Sequence, residues 1–203
     1  YKINYVFLYY GLSNTGALIQ YLYNSNNWKL VYLDDSISIF LKNTDENSDI
    51  IKRYKVDLTK KGEMALNTYG WQRIHPRTYI NRAMFYERIG LLDKAIETLN
   101  DVIKIMPDVK DAYYNLGSLY LAKGMFDDAI KAFKEVINMD KKDVDAYNNL
   151  GVTYAKIGRY RDALAEFKKA LWLNPLKIDA RRNIKAARID YEKERQHGKF
   201  MKH

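Results

Sequence analysis

Set against itself at an offset of 34 residues, the chain brings like onto like: Tyr79, Tyr113 and Tyr147 coincide, as do Tyr86, Tyr120 and Tyr154, and Gly90, Gly124 and Gly158. Alanine recurs at Ala95, Ala129 and Ala163, a large apolar residue at Leu99, Phe133 and Phe167, and each cycle closes at Pro107, Lys141 or Pro175. A period of this length marks tandem supersecondary repeats, none of which can bury its apolar face alone, so the repeats must stack. Inside each repeat the spacing is helical: Tyr113, Leu116, Gly117 and Tyr120 fall on one face of a first helix. The column glycine then ends that helix, since it adopts the left-handed conformation of a C-terminal cap without a Cβ penalty. Asp93 and Asp127 follow as expected N-caps of the second helix, whereas the third repeat has Arg161 there and needs another cap. Ala83, Gly117 and Gly151 on the first helices, with Ala95, Ala129 and Ala163 on the second, leave room for close helix approach.

These columns resemble the tetratricopeptide repeat (TPR), a 34-residue helical hairpin with an aromatic, Leu-Gly, Tyr, Ala, Phe, Pro pattern. The second repeat reads Tyr113, Leu116-Gly117, Tyr120, Ala129, Phe133, and the third Tyr147, Leu150-Gly151, Tyr154, Ala163, Phe167, Pro175. The first departs most, with Arg82-Ala83 where Leu-Gly is the rule. The resemblance implies a mainly α architecture, an α-solenoid with TPR hairpins at 76–109, 110–143 and 144–177, a capping helix at 178–196 and a basic tail at 197–203. In the capping helix Ile184 keeps the leucine column while Arg181 and Arg188 replace the two tyrosines, which gives the end of the stack a polar outer face.

In such a solenoid the first helices line a concave surface, and positions not needed for packing face it. The period supplies a series there: Asn81, Asn115, Asn149 and Asn183. A carboxamide donates and accepts at once, so a row of them can pair with the backbone of an extended peptide without reading its sequence. The alternative is that asparagine is simply the common residue of this column in the family. Flanking groove candidates are Arg77, Ile80, Met84, Arg88, Asp111, Tyr114, Ser118, Asp145, Asn148, Val152, Lys156 and Arg182. Chaperone-binding TPRs clamp a C-terminal carboxylate with lysine and arginine. Here Ile80 and Met84 stand where that type has Lys and Asn, which argues against chaperone-tail binding. The expected role is a scaffold for a protein or peptide partner, with no catalytic residues, no cofactor and no metal.

Residues 1–57 carry no echo of the period. Lys2 to Tyr10 is rich in β-branched and aromatic residues and predicts a strand, Ser13-Asn14-Thr15 offers N-caps for a helix over 14–24, and Trp28 to Leu33 and Ser36 to Lys42 predict strands about a turn at Asp34-Asp35. The order is β-α-β-β, a small α/β module, joined to the first repeat by a helix expected over 58–75 that covers its exposed face. The strings Ile3-Asn4-Tyr5-Val6-Phe7-Leu8, Asn27-Trp28-Lys29-Leu30-Val31-Tyr32-Leu33-Asp34-Asp35 and Ile39-Phe40-Leu41-Lys42 resemble the soluble region after the membrane helices of dolichyl-phosphate-mannose-type glycosyltransferases, which often carry C-terminal TPRs. That resemblance implies an extracytoplasmic accessory tail, attached to the membrane through an upstream segment, with any catalytic residues upstream in a longer protein. The start at Tyr1, running straight into apolar residues, suggests the same. Otherwise the expected compartment is the cytoplasm.

Within the module, Gly11-Leu12-Ser13-Asn14-Thr15-Gly16 before a helix could cradle a phosphate, but it lacks the Gly-Lys-Ser/Thr ending of a P-loop, and a plain capped turn fits better. Asp34-Asp35 and the cluster Asp45, Glu46 and Asp49 read as solvated turns before they read as a metal site. His75 and two histidines near the end form no ligand pair or triad, and Trp28 and Trp71 read as packing residues. The absence of cysteine removes thiolate nucleophiles and Cys-type zinc sites. A net charge of +9 invites a nucleic-acid reading, yet basic and acidic residues alternate, as in Lys131-Ala132-Phe133-Lys134-Glu135, and form a solvated face instead of a stripe. The densest bias is Arg181, Arg182, Lys185, Arg188, Lys193 and Arg195, which suits an acidic partner or an anionic surface.

Overall fold

The computed structural model describes residues 5–9, 15–33, 37–54 and 76–200. The chain divides between Thr98 and Leu99 into two compact units.

In the first unit, β1 (Tyr5–Tyr9), α1 (Thr15–Asn24), β2 (Trp28–Leu33) and β3 (Ile37–Lys42) follow in the β-α-β-β order expected from the sequence. β3 is central and antiparallel to both neighbours, with Phe7 opposite Ile39 and Leu30 opposite Phe40. Strand alternation separates the two faces: Leu8, Leu30 and Phe40 are buried with Ile19 and Leu22 of α1, while Tyr5 and Phe7 are exposed. The N–H of Asn43 donates to the Asn27 carbonyl at 2.7 Å, and the Asn47 carboxamide donates to the Lys42 carbonyl at 2.9 Å, closing the open end of this hairpin. A 3-10 turn, Asp45–Asn47, then leads into α2 (Ser48–Tyr54). Both are absent from the sequence reading, because a helix of seven residues, with Ile51 buried and Ile50 beside it exposed, is too short to show an amphipathic period. Asp45, Glu46 and Asp49 are exposed there, at helix starts that favour negative charge, and no group of three His, Asp or Glu fit for a metal occurs among the described residues. Gly11 to Asn14 before α1, Asp34-Asp35, the 58–75 segment with Trp71, His75 and the last three residues lie outside the described residues, while Thr15 and Gly16 open α1. α3 (Pro76–Arg88) and the start of α4 (Leu92–Ile105) complete the unit, with Ala83, Phe85, Tyr86, Ile89 and Ala95 buried.

The second unit holds the rest of α4 and then α5 (Lys110–Ala122), α6 (Phe126–Met139), α7 (Val144–Lys156), α8 (Tyr160–Leu173) and α9 (Ile178–Phe200). α9 takes in four residues of the segment set apart above as a tail. One core cluster joins Ala129, Ile130 and Phe133 of α6 to Leu150 and Tyr154 of α7, Ala163 and Phe167 of α8, and Ala187 of α9. Ile184 packs against it, half-buried, while Arg181 and Arg188 are exposed.

The repeat columns translate into geometry. Gly90, Gly124 and Gly158 have φ of 84°, 74° and 76°, the left-handed region that favours glycine. The N–H after each of them, on Leu91, Met125 and Arg159, donates to the carbonyl of Tyr86, Tyr120 or Tyr154 at 2.8, 2.8 and 2.9 Å, so every hairpin turn closes the same way. This closure is so short that α6 starts at Phe126 and α8 at Tyr160, with Met125 and Arg159 at the cap positions and no side-chain cap on either. Asp93 and Asp127 are therefore not N-caps: each lies inside the first turn, where its charge still suits the positive helix end. α7 differs, since the Asp143 carboxylate accepts the N–H of Ala146 at 2.9 Å. Gly117 and Gly151 mark contact points of a different kind. A Cβ on Gly117 would lie 2.6 Å from Cε1 of Phe133, and one on Gly151 2.6 Å from Cε1 of Phe167, so each glycine seats the aromatic ring of its own hairpin's second helix.

Candidate functional site

Within the second unit α7 packs against both α5 and α9, which brings the asparagine column of three helices together. The carboxamides are not idle. Asn149 donates through Nδ2 to the Tyr114 hydroxyl at 3.0 Å, and Asn183 donates to Oδ1 of Asn148 at 3.0 Å. Asn148, 7% exposed, donates in turn to Oδ1 of Asn149 at 3.4 Å. A hydrogen-bonded chain thus runs from α9 through α7 to α5.

The rule behind it is an offset of one column: each asparagine reaches the residue 35 positions earlier, on the preceding first helix. Asn115 shows the exception. Its carboxamide donates to its own helix, at the Asp111 carbonyl, 2.7 Å away. Pair terms of this kind are invisible to a search for identical residues at one period. A scan for acceptors one column earlier would have found them.

The remaining groove positions sort by what they touch. The Tyr114 ring meets Phe133 edge-on at 6.0 Å between centroids, and burial, then the nearby Asp145 carboxylate, push its phenol above the ordinary range, so it stays a neutral hydroxyl at neutral pH. The Ser118 hydroxyl donates to the Tyr114 carbonyl at 3.2 Å. Val152 packs half-buried against the core, Asp111 and Lys156 are exposed, and Arg182 is exposed beside Asp179 at 3.9 Å. Asp145 pairs with Lys177, a tie that the sequence reading did not single out. Neither did it single out Lys110, whose ammonium donates to the Asp140 and Asp143 carboxylates, each at 2.9 Å; these two hydrogen bonds hold it protonated well above its ordinary range. Both lysines fasten a first helix to a neighbouring inter-repeat turn. In the first unit, Arg77 is exposed, Asn81, Met84 and Arg88 are half-buried on α3, and Ile80 is buried.

What the second unit offers a ligand is therefore a braced row of polar groups. The Oδ1 atoms of Asn115 and Asn183 accept no hydrogen bond among the described residues, and Asn149 and Asn183 each keep a second N–H. No helix among the described residues is long and apolar enough to cross a membrane.

Three family models match the chain: a TPR repeat over residues 117–158, and tetratricopeptide repeats over 144–175 and 83–137. Among curated proteins none matches. Among solved structures, a MamA protein is 27% identical over 63% of this chain and 70% of its own, with a TM-score of 0.55. The Arabidopsis OM64 TPR domain is 25% identical over 56% of this chain and 93% of its own, at a TM-score of 0.53. The first TPR of Spaghetti (RPAP3), bound to an HSP90 peptide, covers 55% of this chain and 89% of its own at 0.53, and at 17% identity it shares the fold alone. The family-model matches lie within 83–175, and none of these comparisons shows the glycosyltransferase-tail resemblance. Helical hairpins with one turn geometry, glycine-seated aromatic rings and these matches together make residues 83–175 a run of tetratricopeptide repeats.

Proposed function

We propose that the second unit is a scaffold that binds an extended segment of a partner protein along α5, α7 and α9, through Asn115, Asn149 and Asn183 with Tyr114, Ser118, Asn148, Lys156 and Arg182 beside them. The observation that carries this reading is the hydrogen-bonded chain from Asn183 to Tyr114, which fixes the carboxamides in place while leaving donors and acceptors unused. Side chains already held in one rotamer lose little entropy when a ligand binds, so each new hydrogen bond adds more to affinity. A row of carboxamides pairs with a peptide backbone, so sequence selectivity comes from the flanks, where Asp111 and Lys156 are exposed. The peptide bound to the RPAP3 repeat supports occupancy of a TPR fold by a peptide.

The test is selection from a random-sequence peptide library on the wild-type chain, then titration of a selected peptide into wild type and Asn115→Ala/Asn149→Ala. Loss of two backbone-directed hydrogen-bonding groups should weaken binding by at least about tenfold. Equal affinity for the two proteins would remove the asparagines from the account.

A further inference from the structure

Beyond the C-terminal end of α7, clear of the asparagine row, the α7–α8 turn and the last turns of α9 enclose an open cavity of about 360 Å³ lined by Arg159, Arg161, Asp162, Tyr191, Glu194 and Arg195. Two of these arginines break the repeat. The column of Arg159 has Leu91 and Met125 in the other repeats, and the column of Arg161 has Asp93 and Asp127. The third hairpin alone turns both columns cationic, and it is the one against which α9 brings a further arginine.

The side chains have definite positions. The Arg161 Nε donates to the Tyr191 hydroxyl at 2.7 Å, and the Arg161 and Arg195 guanidinium carbons lie 5.7 and 6.0 Å from the centroid of the Tyr191 ring. Arg159 is engaged differently: its Nε donates to Asp162 at 2.7 Å and its guanidinium covers Tyr154 at 4.5 Å. Asp162 thus neutralises one arginine. Arg161 spends its Nε on a neutral phenol, Arg195 has the tyrosine ring as its contact, and Glu194 forms no ion pair with either among the described residues. Two guanidiniums sharing one aromatic ring, without a carboxylate between them, are an arrangement that a doubly charged oxyanion would complete.

From this cavity we infer that the third hairpin and α9 form a binding site for a phosphate group, held by Arg161 and Arg195 with Arg159 and the Tyr191 hydroxyl at its edge. A phosphate monoester carries about −1.5 to −2 charges at neutral pH and three acceptor oxygens, matching two uncompensated guanidinium forks, whereas one carboxylate would leave one of them unmatched. The phosphate could be borne by a small molecule or by a modified side chain of a partner, and the experiment separates the two.

The full chain, wild type and variants, is titrated with inorganic phosphate, with a phosphoserine peptide and with the same peptide unphosphorylated, and the Arg Nε–H resonances are followed by NMR. Saturable shifts of the Arg161 and Arg195 signals with both phosphate probes, and none with the unphosphorylated peptide, are expected. Tighter binding of the phosphopeptide than of inorganic phosphate assigns the site to a protein-borne phosphate; equal affinities assign it to a small molecule. Arg161→Asp restores the residue of the other two repeats, so the hairpin tolerates it, and it should weaken binding at least about tenfold. Arg195→Gln should do the same, while Lys131→Gln, an exposed cation elsewhere, should change nothing. The inference fails if wild type shows no saturable shift, if Arg161→Asp binds as wild type does, or if Lys131→Gln loses as much as Arg161→Asp, since the attraction would then be net charge alone.

Discussion

Replacing Gly151 with alanine sets helix propensity against packing. In an exposed helix interior the change stabilises by about 1 kcal/mol. Gly151, however, sits at the crossing of α7 and α8, where a Cβ would lie 2.6 and 2.7 Å from Cε1 and Cδ1 of Phe167 and 3.1 Å from the carbonyl oxygen of Ala163. Carbon atoms in contact settle at roughly 3.5–4.0 Å, so the ring must withdraw by about 1 Å. Phe167 is 1% exposed and enclosed by Ala163, Tyr154 and Ala187, which leaves it nowhere to go without moving a helix. Overpacking of this kind costs about 1–3 kcal/mol. A clash with both a ring and a backbone oxygen belongs at the upper end, so the net loss should be about 1–2 kcal/mol after the propensity gain. The first repeat carries Ala83 and Leu99 in these two columns, a larger residue in one accompanying a smaller one in the other. Gly151→Ala/Phe167→Leu should therefore be more stable than the sum of its single changes by at least about 1 kcal/mol. Urea unfolding of the four proteins, followed by far-UV circular dichroism, measures this directly. A Gly151→Ala protein as stable as wild type, or strictly additive single changes, would refute the reasoning.

Three further outcomes follow from the same geometry. Gly158→Ala forces a side chain into φ of 76° and should lower stability by about 1 kcal/mol in the same unfolding assay, even though nothing lies within 4 Å of the added carbon. Tyr114→Phe removes the acceptor of Asn149 and should cost about 1 kcal/mol, with a shift of the Asn149 side-chain amide resonance that Tyr113→Phe does not produce. Burial raises the Glu166 carboxyl above its ordinary 4.5, with Lys169 and Lys134 opposing. The unfolded state then releases that proton more readily than the folded one, so the ionised group destabilises the fold above its folded pKa, and the penalty fades as pH falls through that value. Glu166→Gln should accordingly raise stability near neutral pH, and its advantage should vanish below about pH 4.

The hairpins were legible because identical residues recur where identical backbone geometry recurs. Gly90, Gly124 and Gly158 take positive φ, and Gly117 and Gly151 admit rings, so each column has one physical cause repeated. The strands β1, β2 and β3 were legible for a similar reason, through runs of β-branched and aromatic residues between turns. The aspartates Asp93 and Asp127 misled because a preferred residue type says nothing about register, and the turn closure places the helix starts two residues earlier, at Leu92 and Phe126. α2 escaped because seven residues are too few to show an amphipathic period. At the groove the sequence named the asparagines but not their bonds: whether Asn149 is free or tied depends on Tyr114 in a neighbouring column, a pairing that exists only once α5 and α7 lie side by side.

The central claim is that a partner segment lies along α5, α7 and α9. The most direct measurement is the side-chain amide spectrum of the chain with and without a library-selected peptide. The account predicts that the Asn115, Asn149 and Asn183 resonances shift to saturation while those of Asn138 and Asn174, on and just after the second helices, stay in place. Shifts confined to Asn138 and Asn174, with the three groove asparagines unmoved, would contradict it.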